Sequence, residues 1–237
     1  MFQFMAMARR TLRSRPLQAR SRDAVRRVLA ATEQLLSTTH FEHLTVRRIL
    51  RAAGVSAGSF YARFRSKEDL LPLLHAAYSR DLAGRMSAWL APDAWRGAGL
   101  AQRIGRLTRL AVTNYRERRG LLRTVALLAR SRPGRLARPA RLERTDQYRS
   151  AERLLLACSG EIHHPDPSLA VRVGLLFTLA TCRERILFTD APHPASVRIS
   201  DVRLARELAR ALHAYLVTPH HPADLEEHTP CSHSPRS

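Results

Sequence analysis

A chain of 237 residues, 45% of them apolar, can bury a sizeable core, which excludes a disordered chain. Its 40 Lys and Arg against 20 Asp and Glu give a formal net charge of +20, which points to a polyanionic partner, nucleic acid first; Lys67 is the only lysine, so a skewed coding composition is an alternative source of that charge. The apolar start precedes the first arginines, the reverse of a secretory signal, and no apolar run reaches the ~18 residues of a membrane span, so a cytoplasmic protein with no membrane partner is expected.

Arg9, Arg10, Arg13, Arg15, Arg20 and Arg22 stand together with no acid among them. Residues 1–20 therefore read as a basic flexible arm, which either tracks phosphates and a minor groove or is merely solvated. Ser21 offers an N-cap and Asp23 suits the positive end of a helix dipole, while Val25, Val28, Leu29, Leu35 and Leu36 recur at helical spacing. A first helix is predicted over 22–37. Thr45 caps a short second helix with Val46, Ile49, Leu50 and Ala53 on one face, and Gly54 suits a left-handed C-cap. Ser56 caps a third helix to about Ala62. Ser66 with Asp69 three residues on is an acidic relative of the capping box, and predicts a fourth helix running towards Trp89. Pro92, Gly97 and Gly99 end it.

Helices follow over 100–115, 121–130 and 142–159, separated by Pro and Gly. Asp166 and Pro167 supply an N-cap and a first helical residue for a helix to about 188. Ser200 caps a last helix over 201–217. Strand-type alternation is scarce, so the fold class is all-α. Residues 219–237 form a polar His- and Pro-rich tail, predicted to be disordered.

Function is concentrated in 45–64, TVRRILRAAGVSAGSFYARF. Two short helices with a glycine turn between them fit a helix-turn-helix, whose second helix presents its N-terminal residues to a major groove. Val46, Ile49, Ala53, Val55, Phe60 and Phe64 are spaced to bury one face. Ser56, Ala57, Gly58, Ser59, Tyr61 and Arg63 are left outward. A glycine inside a helix costs about 1 kcal/mol relative to alanine. At Gly58 that cost suggests that something must approach the backbone, such as a base edge or a thymine methyl. A purely structural helical hairpin is the alternative.

At these residues the chain resembles the N-terminal domain of TetR/AcrR-family regulators. The resemblance covers 22–71 and rests on TVRRILRAAGVSAGSFYARFRSKEDLL, above all the run from Gly54 through Phe64 followed by Lys67, Glu68 and Leu70. It implies a three-helix DNA-binding domain over 21–66, joined by a long helix to a helical ligand-binding and dimerisation domain over 67–218. It also implies a regulator, with repression as the family default, released from a palindromic operator by a small molecule. Thr45 and Ser56 would meet phosphates as well as cap their helices. Tyr61 matches a tyrosine that hydrogen-bonds a phosphate, and Lys67 a lysine that contacts the DNA backbone. Ala57, Gly58 and Ser59 match base-facing positions, and Arg63 stands where histidine is frequent. Ala57 departs from the basic residue or proline often found there and cannot make bidentate bonds to guanine. Base readout then falls to Arg47, Arg48, the arm or DNA shape.

The larger part of the chain names no ligand. Trp89, Trp95, Tyr115, Phe177 and Cys182 are candidates to line a pocket, or are ordinary core. The helices over 167–188 and 201–217 carry apolar stripes, Leu169, Val173 and Leu176 on one and Leu208, Leu212 and Leu216 on the other. Such stripes serve burial within one subunit or a four-helix dimer interface, and the resemblance favours the dimer. The expected partners are double-stranded DNA, a second copy of the chain and an effector, with no cofactor.

The same sequence admits three rival functions. A sequence-indifferent DNA compactor would share the charge. A metal-responsive regulator would use His220, His221, His228, Cys231 and His233, but the prolines among them and the absence of zinc spacing argue against a fixed site, and no metal is expected. An enzyme is not expected, since no nucleophile elbow, phosphate-binding glycine loop or HExxH is present.

Overall fold

A computed structural model describes residues 21–131, 138–189 and 198–219; for Pro92, Ser131 and residues 138–145 only the backbone is described. The basic arm (1–20) and the His/Pro-rich segment from 220 onward lie outside the described residues, as do the expectations placed on them. Among the described residues every regular element is helical and none is a strand.

Helix α1 occupies 21–36. Helix α2, Val46–Ala53, begins where Thr45 Oγ1 accepts the Arg48 N–H at 3.2 Å, and ends at Gly54, whose φ of 60° lies in the left-handed region open to glycine. Arg27 of α1 donates Nη1 to the carbonyls of Ala53 (3.3 Å) and Gly54 (3.1 Å). The guanidinium thus satisfies two orphan acceptors at the end of α2 and fixes α1 across it. Helix α3, Ala57–Tyr61, starts with Ser56 Oγ accepting the Ser59 N–H at 3.3 Å.

A 3-10 turn, Lys67–Asp69, precedes α4, Leu70–Trp89, which at 1.5 Å per residue is about 30 Å long. The expected cap by Ser66 is absent. Its side chain makes no capping bond, and Asp69 Oδ2 instead turns back to accept the Arg65 N–H at 2.8 Å. The tighter first turn carries the serine out of reach of the N–H it was expected to cap.

The first core gathers Val28 and Leu36 of α1, Ile49 of α2, Phe60 of α3 and Leu70, Leu71 and Leu74 of α4. Leu121 and Val125 of α6, Arg119–Ser131, belong to the same cluster. The helix-turn-helix is therefore closed by a helix from the larger part of the chain, and the first turns of α4 belong to its core. The junction is tight. A Cβ at Gly120 would stand 1.8 Å from the Leu36 carbonyl oxygen.

In the larger part, α5, Leu100–Glu117, is the central helix, with α7, Arg138–Leu156, α8, Pro167–Leu187, and α9, Asp201–Val217, packed against it. Asp166 Oδ1 caps α8 by accepting the Leu169 N–H at 2.9 Å, and Ser200 caps α9. Gly174 allows α8 and α9 to meet closely, since a Cβ there would lie 2.3 Å from Leu212 Cδ1. Arg116 grips Asp201 through two bonds of 2.6 and 2.7 Å, tying α5 to α9 and holding the Asp201 carboxyl below its ordinary range.

The apolar stripe of α9 does not face outward as expected. Leu208, Leu212 and Leu216 are buried within their own chain, against α5 and α8, and are not free to form a dimer surface. Outward on α9 stand Val202, Arg203, Arg206, Arg210, Ala211 and Ala214. An apolar stripe at helical spacing looks the same whichever chain covers it.

Candidate nucleic-acid interface and ligand cavity

The capping serine and threonine set the first turns of α2 and α3 at one surface. Ser56, Ala57, Gly58 and Ser59 are all exposed, and Tyr61 is 58% exposed while its ring leans edge-on against buried Phe60 (centroids 5.2 Å). Phe60 thus anchors the helix and Tyr61 projects from it. A Cβ added at Gly58 would meet no atom of the chain within 4 Å. Nothing inside the fold requires glycine at that position.

Arg47, Arg48 and Arg51 of α2 are exposed, and among the described residues their side chains make no hydrogen bond or ion pair. Arg47, Arg51, Ala57 and Tyr61 border a shallow depression between α2 and α3. No acid occurs between Glu42 and Glu68, so the surface is uniformly basic. Arg51 was missed in the sequence reading. Its signal is the i+4 spacing from Arg47, which puts both on one face.

Two basic residues hold other partners. Arg63 donates Nε to Ser21 Oγ at 3.0 Å, Nη2 to the same oxygen, and Nη1 to the Ser59 carbonyl at 2.6 Å, so it straps α3 to the start of α1. Lys67, expected at a phosphate, directs Nζ to the carbonyls of Phe41 (2.7 Å), Glu42 (3.1 Å) and Leu44 (2.8 Å), and lies over the Phe41 ring at 4.7 Å. An ammonium has three donors, and here all three close the turn that feeds α2. Lys67→Ala is therefore expected to lower stability by about 2 kcal/mol, since it removes three charge-assisted bonds from a half-buried site. Thermal unfolding would show this as a fall of roughly 4–8 °C. Loss of one unit from the salt slope of DNA binding with unchanged stability would return Lys67 to phosphate contact.

The larger domain holds a cavity of about 300 Å³ enclosed by α4, α5, α6, α7 and α8. Leu82, Met86, Leu107, Leu110, Leu122, Val125 and Leu179 supply its apolar wall. Tyr78, Ser79, Asn114, Tyr115, Gln147 and Tyr148 bring polar groups to it, and Arg130 and Arg183 border it. Burial pushes the Tyr115 phenol well above its ordinary pKa, so it stays a neutral donor.

Of the five pocket candidates from the sequence, Tyr115 alone lines this cavity. Trp89 and Trp95 stack edge-to-face at 4.4 Å, with Trp95 Nε1 donating to the Trp89 carbonyl at 2.7 Å, in a separate small core. Phe177 packs against Tyr215. Cys182 is fully buried among Val112, Ile186 and Leu208, where desolvation raises its thiol to about 12. These are core positions. Spacing cannot distinguish a helix face that lines a cavity from one that fills a core.

The cavity wall is wired to the DNA-binding part. Asn114 Nδ2 donates to the Tyr78 hydroxyl at 2.7 Å, and Arg85 donates to Asn114 Oδ1 at 3.3 Å. Arg85 pairs with Asp81 (3.1 Å) and Glu117 (3.6 Å). Arg118 joins Asp81 (3.2 Å) to Glu33 of α1. A continuous polar chain thus runs from the cavity through α4 and the α5–α6 joint to α1.

Among the described residues, no group of three or more His, Cys, Asp or Glu could hold a metal ion, and no helix is long and apolar enough to cross a membrane. Residues 28–74 match the family model described as bacterial regulatory proteins, tetR family. Among solved structures, the chain is similar to a bacterial regulatory protein in the tetR family from Rhodococcus RHA1. The two share 17% identity with a TM-score of 0.58, over 83% of this chain and 98% of that one. It is also similar to a transcriptional regulator (TerR/AcrR family) from Aquifex aeolicus VF5, at 15% identity and a TM-score of 0.53, over 80% of this chain and 97% of that one. No curated protein matches the chain. At these identities the likeness is one of fold, and it extends through both the N-terminal and the larger helical parts.

Proposed function

We propose that the chain is a DNA-binding regulator of transcription of the tetR type, a dimeric repressor that a small-molecule effector releases from a palindromic operator; the match of residues 28–74 to the tetR family model and the shared fold support this reading. The observation that carries the DNA-reading part is the exposed, acid-free surface of α2 and α3, with an unobstructed glycine at its centre. Arg47, Arg48 and Arg51 supply phosphate or base contacts, Thr45, Ser56 and Tyr61 add short polar groups, and Ala57, Gly58 and Ser59 face the bases. Arg63 and Lys67 position the reading helix from behind.

Gly58→Ala tests this reading because it separates the two demands on the residue. In the free protein the methyl meets nothing, so stability should rise, by up to about 1 kcal/mol. Affinity for the operator should fall at least tenfold, about 1.4 kcal/mol, because the methyl occupies the space of a base edge. Electrophoretic titration beside thermal unfolding reads both. An operator affinity unchanged by Gly58→Ala would remove the start of α3 from the reading surface.

Dimerisation is supported by Leu169, Val173 and Leu176, which stand exposed on α8 at i, i+4 and i+7. A single apolar helical face of this kind suits the self-complementary contact of a two-fold dimer. Two reading helices on one axis would then meet half-sites about one helical turn or a multiple apart.

Effector release is supported by the polar chain from Tyr78 and Asn114 to Glu33. A ligand that moves either cavity residue alters the pairing of Arg85 and Arg118, and with it the seat of α1. Release then follows from linkage, because the effector favours an arrangement in which the two reading heads are misplaced.

A further inference from the structure

We propose that the effector is an amphipathic anion, an apolar body enclosed by α4, α5 and α6 with a carboxylate or comparable group held at the cavity rim by Arg130 and Arg183. The proposal rests on the reading of the chain as an effector-controlled regulator, and adds the chemistry of the ligand. The volume, about 300 Å³, stands at the lower end of the ~300–1,000 Å³ range of small-molecule sites. The wall is mostly aliphatic, so the body is apolar. The charge is decided by what borders it. Among the described residues no Asp or Glu lines the cavity, whereas two guanidiniums do.

Both arginines are exposed while bordering the cavity, which puts them at its mouth. Arg183 makes no hydrogen bond or ion pair with the described residues. Arg130 lies over the Phe188 ring at 5.5 Å, which holds its plane in place and leaves its donors open. Elsewhere in this domain Arg85, Arg116 and Arg118 each find a carboxylate. An organic cation would meet two like charges with no counter-charge. A neutral ligand would bury its body equally well but gain nothing at the rim. An anion gains two charge-assisted, fork-shaped contacts. Because the rim is wet, that gain is moderate, of the order of ten- to a hundredfold.

The test is isothermal titration of the full chain with decanoate, decanol and decyltrimethylammonium in about 150 mM salt, where long-range attraction to the basic surface is screened. The expected result is saturable decanoate binding at least tenfold tighter than decanol, with the ammonium weakest. The double variant Arg130→Ala/Arg183→Ala should erase the difference between decanoate and decanol and leave decanol unchanged. Ala126→Phe, which fills the cavity, should weaken both. If the filled variant fails to fold, the arginine variant decides alone, since its substitutions are exposed. Equal affinity for decanoate and decanol, no binding of either, or decanoate binding that survives Ala126→Phe would overturn the proposal. Release of DNA is measured separately. Decanoate binding that left DNA affinity unchanged would overturn the regulatory reading and leave the ligand class standing. DNA release by decanol or the ammonium but not by decanoate would do the reverse.

Discussion

Gly120→Ala is expected to lower the stability of the chain by about 3 kcal/mol or more, and its melting temperature by roughly 6–12 °C. The added Cβ would lie 1.8 Å from the Leu36 carbonyl oxygen and 2.5 Å from its carbonyl carbon. Neither atom can rotate away, because both belong to the backbone at the end of α1. Relief requires α6 to back off from α1, which draws Leu121 and Val125 out of the core they share with Leu36 and Phe41. Each large apolar side chain so loosened forfeits part of the ~1.5–3 kcal/mol that its burial contributes. Gly105→Ala, in α5, is the control. Its Cβ meets nothing within 4 Å, and a helix-interior alanine should raise stability slightly. If both variants melted within a degree or two of the unmodified chain, α6 would not seat on α1 as described. The physical link between the DNA-binding helices and the cavity would then be lost as well.

Leu176→Arg is expected to leave the fold intact, convert the proposed dimer to monomers and lower affinity for the proposed palindromic operator by about 10² or more. Leu176 is 67% exposed in the isolated chain, so a polar replacement costs the subunit little. Across a two-fold interface the same residue recurs from each subunit, so two guanidiniums would be brought into one apolar seam without a carboxylate. Loss of the second reading head removes the effective concentration that links the two half-sites. Light scattering gives the mass, circular dichroism the helix content and an operator titration the affinity. A variant that remained dimeric with unchanged operator affinity would show that α8 does not form the interface.

Much of the fold was legible because its signals are local. Thr45, Ser56, Asp166 and Ser200 cap the helices they were expected to cap, and Gly54 takes the left-handed turn assigned to it. The spacing of Ile49, Ala53, Phe60 and Phe64 identified one buried face of the helix-turn-helix. What was not legible depends on partners distant in sequence. Lys67 was read by the position it occupies in a motif, but its donors are taken by carbonyls more than 20 residues earlier. Leu208, Leu212 and Leu216 were read as a surface because periodicity reports only that a face is apolar. The cavity residues were missed for the same reason. Asn114, a polar residue on an apolar face of α5 with Leu107 and Ala111, was the available sign of something other than plain core. Gly120 and Gly174 carried no local sign at all, because their need for glycine is imposed by the approach of another helix.

Sequence preference separates a regulator from a general DNA binder most directly. The full chain would be titrated against DNA from its own upstream region and against a shuffled sequence of the same length and composition, in about 150 mM salt. A preference of about 10³ or more is the expected result, as for specific regulators. A ratio near one, with equal affinity for many genomic fragments, would contradict the account and leave a basic, sequence-indifferent DNA-binding protein in its place.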